Sequence, residues 1–236
     1  MPFTECTLRT TGFGAGSLRS RAMIAVLLGL ATQSRAADGQ IMRRPVARQQ
    51  PNWVGGGVAV FQQFTLRDGL TNADWRFDSG LGYTASFEHP TQSGIMIGVQ
   101  GTYATPGMVY TSVGSGGAVN CQSGCNATGT VMQIMGLAHS SNAYSFHPVY
   151  QLTVGATSFS NFRERTSSAK IGPTTPDYDF SFAIGYGVGV GLSSNAGIEV
   201  VQEIGTVLHQ RTGLAPGTSG NYPRMGVTRL GAKLAF

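Results

Sequence analysis

The chain has 236 residues, of which 11% are charged and 41% hydrophobic, with 34 glycines and a formal net charge of +5. An ordinary soluble domain is about one quarter charged, no run of about 20 apolar residues is present to make a transmembrane helix, and the glycines follow no three-residue period, which excludes collagen. Few charges and abundant glycine fit a β-barrel whose strands alternate lipid-facing and lumen-facing side chains, with a secreted β-sandwich as the competing class.

Residues 1–36 read as a cleaved export signal. Arg19 and Arg21 precede the apolar run 22–32, and Ser34 and Ala36 supply the small residues of an A-x-A cleavage site, placing cleavage after Ala36. The segment holds Arg9, Arg19, Arg21 and Arg35 against Glu5, so its removal lowers the net charge from +5 to +2. Nothing in that balance calls for a nucleic-acid partner. Residues 37–52 are polar and basic with two prolines and no periodicity. They read as a flexible periplasmic lead-in whose Arg43, Arg44 and Arg48 are solvated.

From Trp53 to Phe236 the period is two. Along 75–88, Trp75, Phe77, Leu81, Tyr83 and Phe87 share one face, and Arg76, Asp78, Gly80, Gly82, Thr84, Ser86 and Glu88 share the other. Strand 94–105 sets Ile95, Ile97, Val99 and Tyr103 against Met96, Gly98, Gln100 and Thr102, and strand 146–158 sets Tyr150, Leu152 and Val154 against Gln151, Thr153 and Thr157. Strand 178–192 carries Tyr178 through Leu192 opposite a row of glycines. Such a row marks a face where bulky neighbours protrude or the sheet curves. Segments 53–65 and 128–139 alternate poorly, so their facing stays open, and 197–208 and 225–236 complete eight candidate strands.

The connections alternate longer and shorter along the chain, as in outer-membrane barrels with long outside loops and short periplasmic turns. Loops 106–127, 159–177 and 209–224 would lie at the cell surface. Phe64, Trp75, Tyr103 and Tyr178 are expected in the outer aromatic belt, and Trp53, Phe87, Phe146 and Phe236 in the inner one. The chain closes with Leu230, Ala232, Leu234 and Phe236 alternating with Arg229, Gly231, Lys233 and Ala235. This resembles the C-terminal strand of outer-membrane β-barrel proteins, where a final Phe presents the strand to the barrel assembly machinery. The region 53–236 is similar to the small barrels of the outer-membrane protein A/X and opacity-protein type. The resemblance implies an all-β, eight-stranded antiparallel transmembrane up-and-down barrel in the outer membrane, with outer-membrane lipids and lipopolysaccharide around it. It implies an architecture and no activity.

Glu199 and Glu203 share a face of strand 197–208, and Arg229 and Lys233 share the small and polar face of the next strand. If residue numbers in that antiparallel pair sum to about 432, Glu203 meets Arg229 and Glu199 meets Lys233. Buried opposite charges need partners, so these four are expected as interior ion pairs. An eight-stranded interior is just filled by side chains, which disfavours free diffusion of solutes. Cys121 and Cys125 are expected as a local disulfide in an oxidising compartment, because two cysteines without nearby histidines make a poor zinc site. Cys6 leaves with the signal. His139-Ser140-Ser141-Asn142 looks like the His-x-Ser-Asn segment of the lipid A deacylases, yet it falls at a short periplasmic turn. The expected function is therefore a non-enzymatic barrel displaying loops for an extracellular ligand or for envelope integrity, without cofactor, metal or catalytic residue. A lipid A deacylase-like acyl hydrolase and a narrow or gated pore are the alternatives.

Overall fold

The computed structural model describes residues 51–68, 73–112, 121–140, 145–172, 177–209 and 223–236. The expected signal 1–36 and the lead-in up to residue 50 lie outside them. Eleven strands are present among the described residues: β1 (Trp53–Phe61), β2 (Phe64–Asp68), β3 (Ala73–Phe77), β4 (Gly80–Pro90), β5 (Ile95–Ala104), β6 (Gly107–Ser112), β7 (Cys125–Ser140), β8 (Phe146–Glu164), β9 (Asp177–Ser193), β10 (Ala196–Leu208) and β11 (Arg224–Ala235).

Eight of them close a ring. β1 pairs with β4, β4 with β5, β5 with β7, and then β7 through β11 pair in succession, with β11 returning to β1, every pair antiparallel. The remaining three, β2, β3 and β6, prolong β1, β4 and β5 beyond two-residue interruptions and pair with each other and with β7 in the same order. Closure leaves the eight-stranded ring itself without a free edge, while β2 pairs on one side only, with β3. Reciprocal backbone hydrogen bonds between Asn52 and Phe236, at 3.1 and 2.9 Å, join the two ends of the chain. The ring therefore has a turn end, where 91–94, 141–145 and 194–195 connect the strands, and a loop end, where 113–124, 165–176 and 209–223 do so.

The wall alternates as the sequence suggests on most staves. On β9, Tyr178, Phe180, Phe182, Ile184, Tyr186, Val188, Val190 and Leu192 all point outward and are exposed. On β11, Leu230 and Leu234 do the same, as does Phe236 just beyond it, while Arg229 and Lys233 turn inward. The glycine row on β9 makes room for its neighbours: a Cβ on Gly185 would stand 3.0 Å from Val201, 3.2 Å from Gln151 and 3.3 Å from Glu203, and one on Gly189 would strike the His147 ring.

The stretch 75–88 departs from expectation. Leu81, Tyr83 and Phe87 face outward, but Trp75 and Phe77 are fully buried inside the barrel. The face is exchanged across Asp78 and Ser79, which separate β3 from β4. Gln62 and Gln63 make the same exchange directly opposite, so the pairing Phe61 with Gly80 continues as Phe64 with Phe77 in one register. This exchange re-aims every side chain beyond it. Phe64 and Trp75 consequently leave the expected outer aromatic belt for the interior, while Tyr103 and Tyr178 are exposed on the outer wall. At the other end Phe87, Phe146 and Phe236 are exposed, and Trp53 is half-buried.

The lumen is thus built in two tiers. Toward the loop end it is apolar: Phe64 stacks on Phe77 with ring centres 4.6 Å apart, Trp75 meets Phe162 edge-on at 4.7 Å, and Phe159 packs against Trp75 at 6.2 Å. Leu66, Met108, Val131, Val207 and Val227 fill the spaces around them. Each such side chain contributes about 1.5–3 kcal/mol on full burial, so this plug is a genuine hydrophobic core inside the barrel. Toward the turn end the lumen is polar.

Candidate functional site

The polar tier is assembled from inward positions of five staves. Lys233 on β11 lies 2.9 Å from Glu88 on β4 and 2.8 Å from Glu199 on β10. Its Nζ is also 3.0 Å from Nε2 of His139 on β7, and that same nitrogen contacts a Glu88 carboxylate oxygen. Ser86 donates to the other Glu88 oxygen at 2.8 Å. Toward mid-barrel, Arg229 reaches Glu203 at 2.9 Å and the Gln151 carbonyl at 2.6 Å, while the Gln151 amide donates to Glu203 at 2.6 Å. Glu88, His139, Gln151, Glu199 and Glu203 are all buried. In this low-dielectric interior each charge is held by an opposite charge or a strong hydrogen bond, as burial demands.

The four charged residues singled out in the sequence stand in this network, though by another register. β10 and β11 pair with Val201 opposite Arg229 and Gly197 opposite Lys233, two residues away from the expected sum. Arg229 and Lys233 therefore meet their glutamates diagonally rather than straight across, a reach that long side chains make easily. Glu88 and Gln151 stood out only as polar-face residues of their strands, and His139 only as part of the deacylase-like segment. The signal available was a charge on the polar face of an alternating strand, which requires a partner without naming it.

Voids of about 30 and about 20 Å³ lie beside Lys233, Glu199 and Arg229, each with room for about one water molecule. Among the described residues no group of three or more His, Cys, Asp and Glu side chains is placed to hold a metal. His139 is fixed in the lumen by Glu88, Lys233 and the Ser140 carbonyl. Ser141 and Asn142, the rest of that sequence segment, lie outside the described residues.

At the loop end, Cys121 and Cys125 are bonded, with Cα atoms 5.1 Å apart, and Cys121 packs into the apolar plug. Beside it a second buried pair closes the tier: His209 Nδ1 lies 2.5 Å from Asp179 Oδ2, and its ring packs on Trp75 at 5.2 Å. Most of the expected surface loops lie outside the described residues. Phe236 is exposed on the outer wall beside Phe87, with ring centres 6.4 Å apart.

No protein-family model and no curated protein matches the chain. Solved structures do. Ail, the attachment invasion locus protein of Yersinia pestis, is 14% identical with a TM-score of 0.43, covering 80% of this chain and 100% of that one. Neisserial surface protein A is 11% identical with a TM-score of 0.41, covering 78% and 97%. The outer membrane protein OprG from Pseudomonas aeruginosa is 12% identical with a TM-score of 0.45, covering 80% and 97%. These likenesses concern the fold, and the pairing of the chain's own strands shows that fold to be a closed, eight-stranded antiparallel β-barrel.

Proposed function

We propose that this protein is a non-conducting outer-membrane barrel whose rigid wall carries the loop-end segments 113–124, 165–176 and 209–223 as a surface for extracellular interaction. The observation that carries this reading is the lumen filled at both levels, by the aromatic plug above and by the Glu88–Lys233–Glu199 and Gln151–Glu203–Arg229 network below. A filled interior favours neither a pore nor an internal reaction chamber. An apolar outer wall on a closed ring suits a bilayer, where every backbone group must be satisfied within the structure. Lipopolysaccharide and phospholipid then surround the wall, and exposed Phe236 on the last strand serves the assembly machinery. His139 belongs to the interior network at the turn end, so the acyl-hydrolase reading draws no support from it. Function in such scaffolds resides in the loops.

Expression in a Gram-negative host tests this. The protein should fractionate with the outer membrane and migrate differently on gels with and without boiling, and planar bilayers should show no discrete conductance. Cells displaying it should adhere to some member of a panel of extracellular glycans and proteins, and lose that adhesion when 113–124 and 209–223 are replaced by short Gly-Ser turns. Adhesion unchanged by that replacement would refute the loop assignment, and steady conductance would refute the filled lumen.

A further inference from the structure

We infer that the outer wall of the barrel carries a seat for one acyl chain of a phospholipid in the leaflet on the turn side. This rests on the membrane reading above. The seat is a trough of about 510 Å³ running along β7. Its floor is Gly136 and Ala138, small residues flanked on both neighbouring strands by larger ones. One wall is Ile97 and Val99 on β5, the other Leu152 and Val154 on β8, each pair aligned with the floor residues by strand pairing. Exposed Ile134 closes it toward the loop end.

The gap is not a by-product of strand packing. At Gly98 and Gly155, on the neighbouring strands, a Cβ would collide with backbone of the adjoining strand. At Gly136 it would meet only the Val154 carbonyl, at the ordinary distance of 3.4 Å. A side chain fits there and is nevertheless missing.

Depth and shape select the occupant. Gly136 lies four residues from Ser140, where β7 ends, which is about 14 Å along the strand and about 10 Å in depth at a tilt near 40°. That is within the turn-side half of an apolar band about 25 Å tall. The trough is one side-chain column wide, between strands two spacings or about 10 Å apart. A second barrel presents a convex wall that cannot enter it, whereas a single flexible chain can. The polar end carries exposed His89, whose Nδ1 is held by Asn52 Oδ1 at 2.7 Å, leaving the opposite ring nitrogen at headgroup level.

The test is native mass spectrometry of the full mature protein extracted from outer membranes in mild detergent. One retained phospholipid is expected. Gly136→Leu and Ala138→Leu, which fill the floor, should lose it. Gly101→Leu should keep it, since its Cβ also points outward and meets nothing closer than the Gln133 carbonyl at 3.9 Å. Heat-shifted mobility of each variant shows that the barrel itself has formed. Retention unchanged in the filled variants, or no lipid on a heat-modifiable wild type, overturns the seat. So does a wild-type dimer that the filled variants abolish, which would make a second copy the occupant. Absence of any heat shift in the wild type would instead overturn the membrane reading.

Discussion

Replacing Lys233 by Met is expected to cost the barrel about 4 kcal/mol. The ammonium lies 2.9 Å from Glu88 and 2.8 Å from Glu199, and the Glu88 side chain is only 1% exposed. Removing one member of a buried pair strands its partner and costs about 3–5 kcal/mol. Two carboxylates lose the same cation here, but their losses overlap rather than add. His139 stays in contact with Glu88, which holds the total near the middle of that range. Met keeps the bulk of the alkyl stem, so packing contributes little to the difference. The assay is urea unfolding of protein refolded into phospholipid vesicles, followed by fluorescence of Trp75 and Trp53, the only two tryptophans. Glu88→Gln combined with Lys233→Met removes one stranded charge and should recover about 2 kcal/mol of the single-variant loss. A Lys233→Met loss below about 1 kcal/mol, the scale of an exposed ion pair, would refute the view that this contact is buried and structural. Strict additivity of the two substitutions would refute the coupling.

Three further outcomes follow from other parts of the barrel. Phe159→Ala, in the centre of the aromatic plug, should lose about 3–5 kcal/mol in the same unfolding assay, and bilayers should still show no conductance because the polar tier remains. Gly187→Ala should hinder folding into vesicles, since its Cβ would overlap the Val200 carbonyl, while Gly136→Ala folds normally; equal folding yields would disprove the close strand approach. Mass spectrometry after nonreducing isolation should find no free thiol at Cys121 or Cys125, and Cys121→Ser should lower stability by about 2 kcal/mol, as expected for a loop this short.

Much of this architecture is written locally. Alternation along β5, β8, β9, β10 and β11 assigns each residue to wall or lumen because the side-chain period of a strand is two whatever the strand pairs with. The terminal Leu230 to Phe236 pattern and the uneven connection lengths point to the same closed barrel, for both are properties of contiguous sequence. The exchange of faces at Asp78–Ser79 was not legible, because two polar residues in a row satisfy either phase of the alternation. Only the matching exchange at Gln62–Gln63 on the neighbouring strand shows that Trp75 and Phe77 turn inward. Likewise, the charges on the lumen faces were visible, but the partners of Lys233 were not all visible. Glu88 is 145 residues away along the chain and His139 is 94. They come together because ring closure brings β4, β7 and β11 around one narrow lumen, where a side chain can reach staves that are not its neighbours. Which faces exist is a property of the strands, and which residues meet across the interior is set by register and closure, quantities that only the tertiary structure determines.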